Sequence, residues 1–511
     1  LINFFWKTDR QERNDNCCRK MKNKILLTSS IFLGICFLYK LLDQSQMIST
    51  FPLDFTNDWS SYIAQLHFLK VCGFHNLCPF WYNGFISFQI TSPGWFFFTL
   101  PIYLLTSNIL LSVYISLILL YFIGFIFLYI LGRNQKWSVL MIISFFLFFF
   151  ANAISIGNFI RLGRIVSLFG FVIFLGIAAL IFKYKSQDID NRFIFFLTLL
   201  YSLSLISHPQ EAVLSSFLIL CLFLIKKNEE KIRIGAAVFM SFLLSSFWLI
   251  PFLQDSRKTN LLNYHQSDLL NWLFSDNIYL LTNIAAIVIP LGLFFMFYMY
   301  IREKNYSKKE LIFYSPILVL SFLFLFKLVR FIPVLKQISP DPFITFFLFF
   351  TVLFLFNIKA EKNIHKFAWF QILIIVVLSI TVSIVKTPNF IGHGELEKEV
   401  ISVLPNVSGK YLMIGNSGVS SYTKAYYSYA AIYNNLSTVS GWYNQIASPQ
   451  YLSIFKSLGE DYSNGECERF SENLKILNVE EVIFYGYECD ILDSCGLKEK
   501  FKGKNVCLFE T

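Results

Sequence analysis

The stretch ILLSVYISLILLYFIGFIFLYIL, Ile109–Leu131, contains no charged residue and no proline. A helix of roughly 20 apolar residues spans the roughly 30 Å hydrocarbon core of a bilayer. No water lies there to satisfy a loop or an open sheet edge, so the stretch predicts a transmembrane helix. Working outward, comparable apolar runs recur at 24–42, 137–157, 164–183, 192–207, 211–226, 233–253, 278–301, 311–327, 342–358 and 366–386. The expected fold class is a membrane all-α bundle of about eleven transmembrane helices. Composition agrees: 55% of the residues are hydrophobic and only 15% are charged, against roughly 25% charged in soluble domains. Sixty phenylalanines favour hydrocarbon as the main solvent. A net charge of +10 would elsewhere suggest nucleic acid. Here the excess cations sit in short loops between apolar runs, so the expected partner is the lipid bilayer and no nucleic acid.

Those loops set the orientation. Arg133, Lys136, Lys183, Lys185, Arg192, Lys226, Lys227, Lys231, Arg233, Arg302, Lys304, Lys308, Lys309, Lys359, Lys362 and Lys366 fall on one side, joined by the basic flank Arg19–Lys24. The opposite loops carry fewer cations: Arg161, Arg164, Arg257, Lys258, Lys327, Arg330 and Lys336. Positive loops stay in the cytoplasm. The assignment holds only if Thr91–Asn108, short and interrupted by Pro101, is re-entrant or juxtamembrane rather than spanning. The sequence starts at Leu1, and Met21 reads as the natural start, which leaves Cys17 and Cys18 without a mechanistic reading. Ile25–Tyr39 reads as an uncleaved anchor, since no small-residue cleavage site follows it. The expected domains are a cytoplasmic segment at 1–23, a polytopic region at 24–386 with a large outer loop at 43–108, and an extracytoplasmic α+β domain at 387–511. The localisation that follows is a multi-pass protein of the cell membrane with a cytoplasmic N-terminus. In the tail, a helix at Gly394–Leu404 precedes short β-like runs at Lys410–Ile414, Glu480–Tyr487 and Asn505–Glu510.

Six cysteines fall on the outer side: Cys72 and Cys78 in the loop, Cys467, Cys489, Cys495 and Cys507 in the tail. An even number on the oxidising side reads as disulfides, one in the loop and two in the tail. A zinc site is the weaker alternative, because no C-x-x-C pair and no adjacent His is present.

The loop carries Asp54 and Asp58 ahead of an amphipathic stretch, Trp59–Val71, and then an aromatic turn, Pro79-Phe80-Trp81-Tyr82-Asn83-Gly84. Trp81 and Tyr82 suit the headgroup level, so the loop is expected on the membrane surface above the bundle. This order of an Asp after the first helix, an amphipathic segment, a P-x-W-Y-x-G turn and a Pro-containing aromatic stretch resembles the large-loop organisation of GT-C type membrane glycosyltransferases. Within them it is similar to the archaeal and bacterial membrane proteins labelled 6-pyruvoyl-tetrahydropterin synthase-related. Ser207-His208-Pro209 and Phe247-Trp248-Leu249-Ile250-Pro251 at helix ends add to the likeness. Pterin chemistry does not follow from that label, since the six histidines are scattered and no zinc-holding trio is visible.

The resemblance implies a sugar donor on a polyprenyl phosphate, a glycan or protein acceptor outside, and an acidic loop residue acting as base or metal-assisted activator. It admits a divalent cation, Mg or Mn, as cofactor. Asp58 matches the acidic position best, with Asp54 second. The competing reading is that Asp58 caps the helix after it. Relatives often carry His three residues beyond this Asp, where Ser61 stands here. Arg161, Arg164 and Arg330 are candidates for the donor phosphate, whose oxygens a guanidinium fork grips in pairs; snorkelling to the headgroups is the bland alternative. His208 and Glu211, ionisable at a helix end near the bilayer, are further candidates, against a merely hydrogen-bonded turn. Tyr422, Tyr426, Tyr427, Tyr429, Tyr433 and Gly441-Trp442-Tyr443-Asn444-Gln445 offer aromatic faces that stack on sugars or build a core. Asn406 and Asn435 fit the N-glycosylation pattern. A transporter or a non-catalytic protein with a partner-binding outer domain are the readings from other classes.

Overall fold

The computed structural model describes residues 2–53, 58–151, 163–256, 280–303, 306–358, 390, 392–415, 423–442, 446–486 and 495–511. Asp54, Arg161, Cys489, Tyr422, Tyr443 to Gln445 and the expected helix at 366–386 lie outside them. The membrane part is built from α1 (Ile2–Ser45), α2 (Trp59–Val71), α3 (Gly94–Thr106), α4 (Ile109–Asn134), α5 (Val139–Phe150), α6 (Ile165–Tyr184) and α7 (Asn191–Ser207). It continues with α8 (Pro209–Ile225), α9 (Asn228–Ser256), α10 (Leu280–Glu303), α11 (Lys308–Leu325) and α12 (Pro340–Asn357).

Among the described residues six helices are long and apolar enough to cross a membrane: Asn23–Ile48, Ile109–Asn134, Ile165–Tyr184, Asn228–Asp255, Ala285–Glu303 and Pro340–Asn357. Four more apolar helices are shorter: Gly94–Thr106, Val139–Phe150, Asn191–Ser207 and Pro209–Ile225. Helix starts follow the sequence. The side chains of Asn108, Ser138 and Asp190 accept from the amides of Leu111, Met141 and Phe193, and Pro209 and Pro340 open α8 and α12, where a missing N–H costs nothing. A helix apolar all round belongs in a core. Accordingly α6 is buried over its apolar window and α12 almost so, whereas α1 and α9 turn side chains such as Leu42 and Phe239 outward. Phenylalanines interlock between helices: Phe174 of α6 meets Phe349 of α12 edge-on at 5.1 Å, and Phe145 of α5 meets the same ring edge-on at 5.7 Å.

The segment 1–23 is helical rather than irregular, α1 running from Ile2, while the membrane-crossing length begins at Asn23. Contrary to expectation, Trp59–Val71 does not lie amphipathically on a surface: from Trp59 to Leu69 every side chain but His67 is buried. The helix is covered both by the bundle and by the tail. For α3, 13 residues at 1.5 Å each reach about 20 Å, short of the hydrocarbon thickness, and the helix runs through Pro101.

After α2 a disulfide joins Cys72 to Cys78. A hairpin follows, with β1 (Leu77–Cys78) antiparallel to β2 (Phe85–Ile86) around the Pro79–Gly84 turn. The tail holds α13 (Glu395–Val403), β3 (Tyr411–Gly415), α14 (Thr423–Tyr433), α15 (Pro449–Asn464), α16 (Cys467–Ile476), β4 (Glu481–Tyr485), β5 (Lys498–Lys502) and β6 (Val506–Glu510). Its sheet has the order β3-β4-β6-β5; β3 and β4 are parallel and the other pairs antiparallel. Side chains alternate across the sheet. Leu412, Val482, Phe484, Cys507 and Phe509 face Leu458, Phe470 and Leu474 of α15 and α16. Tyr411, Met413, Ile483, Tyr485 and Leu508 join Tyr426, Tyr427 and the core continuous with the bundle. Cys467 is bonded to Cys495, and Cys507 also takes part in a disulfide.

Candidate functional site

Asp58 precedes α2, and its backbone carbonyl accepts from the Tyr62 amide at 3.2 Å and the Ser61 hydroxyl at 3.1 Å. Its side chain makes no capping bond. The capping reading therefore fails on geometry: the carboxylate turns away from the helix end, toward Arg164. The separation is 3.7 Å from Arg164 Nε to Asp58 Oδ2. Trp442 is the tail residue whose side chain acts on the Asp58 carboxyl as a hydrogen-bonding group, lowering its pKa. Ser61, at the position where relatives carry His, is buried, and its hydroxyl donates to the Asp58 backbone carbonyl.

Gly163 brings the arginine there. Its φ of 69° is in the left-handed region, and a Cβ would lie 2.8 Å from the Trp59 amide nitrogen and 2.9 Å from that of Asp58. Only glycine lets the chain entering α6 touch the start of α2 so closely. Arg164 then takes the position before α6, with its side chain 37% exposed and a second carboxylate within reach: Asp341 Oδ2 is 3.5 Å from Nη1. Asp341 is buried in the first turn of α12, where the helix dipole favours a negative charge. One guanidinium thus stands between two carboxylates from distant parts of the chain.

The tail closes the arrangement. α14 packs against α2 and carries Lys424, whose ammonium donates to the Trp442 carbonyl at 3.3 Å. The segment before Trp442 is fastened to the aromatic turn of the loop. Thr438 N–H donates to the Phe80 carbonyl at 2.9 Å, Tyr82 N–H to that of Ser440 at 3.4 Å, and Asn83 Nδ2 to that of Leu477 at 2.7 Å. A Cβ on Gly441 would sit 2.9 Å from Trp81 Cβ and 2.7 Å from Tyr82 Cε2. Trp81 and Tyr82, expected among headgroups, are instead buried, because the tail covers them.

Burial is the largest influence on Asp58 and raises its pKa above the ordinary carboxylate value, while Arg164, the Trp442 bond and Lys424 pull it back down. Burial likewise lowers the pKa of Lys424, against the opposing pull of Asp58. A raised carboxyl and a depressed ammonium lie in one half-buried site, the two shifts moving the groups toward each other.

The remaining candidates are more dispersed. His208 Nδ1 and Glu211 Oε2 pair with each other where α7 meets α8. Glu211 is fully buried, with Gly170 of α6 beside it. Gln210 between them donates to the Gln337 carbonyl and accepts from Ser339, just before Asp341, which ties this turn to the same end of the bundle. Arg330 is exposed, its guanidinium 4.6 Å from the ring centre of Phe331. Among the described residues no three of His, Cys, Asp and Glu gather as metal ligands. Among the described residues Asp58 and Asp341 both pair with Arg164.

Sequence reading passed over Asp341 and Lys424, and took Trp442 only as an aromatic face. Ser339-Pro340-Asp341-Pro342 does announce a helix start with a carboxylate in its first turn. Nothing in the sequence pairs Lys424 with Asp58.

A family model described as 6-pyruvoyl-tetrahydropterin synthase related domain, membrane protein, matches residues 93–391. No curated protein matches the sequence. Among solved structures the fold is similar to the oligosaccharyltransferase of Archaeoglobus fulgidus in complex with Zn and sulfate. The TM-score is 0.53 at 12% identity, over 88% of this chain and 68% of that one. It is also similar to the arabinofuranosyltransferase AftD from Mycobacteria, with TM-score 0.60 at 12% identity, over 94% of this chain but only 39% of that one. The archaeal oligosaccharyltransferase AglB, solved with an inhibitory peptide and a dolichol-phosphate, gives 0.51 at 10% identity, over 89% and 69%. At these identities the likeness is one of fold.

Proposed function

Since the chain belongs to the 6-pyruvoyl-tetrahydropterin synthase-related family of membrane proteins, and its fold is similar to GT-C glycosyltransferases, we propose that it is itself a glycosyltransferase. It would move a sugar from a polyprenyl-phosphate donor to an extracytoplasmic glycan or protein acceptor. The observation that carries this reading is the meeting of Asp58 with Arg164, a carboxylate with a raised pKa and a half-exposed guanidinium, between the bundle and the tail. In the proposed reaction the acceptor's nucleophilic atom attacks the anomeric carbon, and its proton passes to the Asp58 carboxylate. The bond from that carbon to the phosphate oxygen breaks, and its electron pair leaves on the lipid phosphate. Arg164 stabilises that charge, as a guanidinium suits phosphate oxygens. Arg330 and Arg161 are further candidates for the donor phosphate. Asp341 holds Arg164 in place. His208 and Glu211 support the α8 end of the site.

The full proposal is a bundle of about eleven helices with the site end and the tail outside the cell. The cation bias and the disulfides Cys72–Cys78 and Cys467–Cys495 support that orientation. The deciding experiment supplies labelled polyprenyl-phosphate sugars to the protein in proteoliposomes together with mixed acceptors. Donor-dependent labelling that vanishes in Asp58→Asn and Arg164→Gln is expected. No labelling from any lipid-linked donor would overturn the proposal.

A further inference from the structure

We propose that the tail domain completes the reactive site, with Lys424 and Trp442 acting as positioning residues that keep the Asp58 carboxylate ionised and aimed. The inference rests on the reading above only in taking Asp58 as the base. Three independent observations meet here. The loop and tail are joined by main-chain hydrogen bonds between Phe80–Asn83 and Thr438–Ser440. Gly441 leaves no room for a side chain against Trp81 and Tyr82, so Trp442 has a fixed position relative to the loop. Its carbonyl then accepts from Lys424 at 3.3 Å, so the residue whose side chain acts on the Asp58 carboxyl also anchors the nearby cation.

Among the described residues the groups facing Asp58 are Arg164 from the entrance to α6, Lys424 from α14 and the Trp442 side chain, with Asp341 of α12 behind Arg164. Arg164 is divided between two carboxylates. Ionising Asp58 in a half-buried position therefore depends on what the tail adds. Without Lys424 or Trp442, burial would act on the carboxyl with only Arg164 opposing it, and its pKa would rise further. A larger share of the carboxyl would then be protonated and unable to accept a proton from an acceptor. The site is assembled only when the tail is docked, which makes docking a condition of activity rather than a separate binding function.

The test is an infrared titration of the full-length protein in lipid nanodiscs, with the Asp58 band identified by its loss in Asp58→Asn. Lys424→Met and Trp442→Phe, which keeps the ring but removes the donor, should each move the Asp58 midpoint upward by about one pH unit, a tenfold change in proton affinity. Lys424→Arg should restore it. A merely structural role would lower thermal stability without moving the midpoint. The inference is overturned if neither variant shifts the midpoint while Arg164→Gln does. If Lys424→Met does not fold, Trp442→Phe and Lys424→Gln decide in the same way. A shifted midpoint in a protein that transfers no sugar would leave the positioning intact and remove the glycosyltransferase reading. Transfer with an unshifted midpoint would do the reverse.

Discussion

Asp58 carries two predictions that differ in sign from those of a helix cap. A base must be ionised, and burial raises the Asp58 pKa. Transfer should therefore fall as the pH drops through that raised value, with the acidic limb above the usual carboxylate range near about 4. A pH–rate profile with its acidic limb at or below that range would contradict the assignment. Stability should run the other way. The folded pKa lies above the unfolded one, so the folded chain binds its proton more tightly and loses stability as the pH rises between the two values. Asp58→Asn removes that loss. It is expected to lower transfer by about 10²–10⁴-fold while melting, above that window, no earlier than the wild type. A structural Asp would show the opposite pattern, with transfer kept and melting lowered. Arg164 was legible as a phosphate candidate because it stands against the charge bias of its side. Its second partner Asp341 was not, since 177 residues separate the two.

Elements meet at the site through two close approaches. Where α2 and α6 begin, Gly163→Ala would place a Cβ in a left-handed conformation against the Asp58 and Trp59 amides. Such strain costs about 1–3 kcal/mol. The variant should melt earlier and transfer more slowly, read by differential scanning and by the proteoliposome assay. A variant that melts earlier with full transfer would mean that the contact is structural only. In the tail the Cys467–Cys495 bridge closes a separation of 28 residues. Replacing both by Ser should destabilise the tail by about 2–4 kcal/mol, measured by denaturant unfolding followed at tail tryptophan and tyrosine signals. The β-like runs of the tail were readable because apolar residues alternate in them. Strand β5, Lys-Glu-Lys-Phe-Lys, was missed because an edge strand carries charge on most positions. Helices α14 to α16 were missed because tyrosines and short polar runs obscure their period.

At the scale of the whole molecule the proposed orientation predicts a labelling pattern. In a background lacking Cys17, Cys18, Cys36 and Cys221, Lys456→Cys should react with a membrane-impermeant maleimide on intact cells, and Lys308→Cys only after permeabilisation. Both native positions are exposed. The reverse pattern would put the site on the cytoplasmic side and remove the extracellular acceptor with it.

The sequence by itself determined that the chain is a membrane protein with several apolar helices and, among the described residues, which apolar runs are helical. Hydrocarbon excludes unpaired backbone, and that constraint is written in every apolar run. It also marked Asp58 and Arg164, because charge beside lipid is costly enough to stand out. The tertiary structure decided what those charges face. Asp341, Lys424 and Trp442 reach Asp58 and Arg164 only because α12, α14 and the Thr438–Trp442 segment converge on the loop. That convergence depends on packing between elements hundreds of residues apart, which no local pattern encodes. The same packing took Trp81 and Tyr82 from the expected membrane surface into the loop–tail interface, since an aromatic ring buries as well against protein as against headgroups.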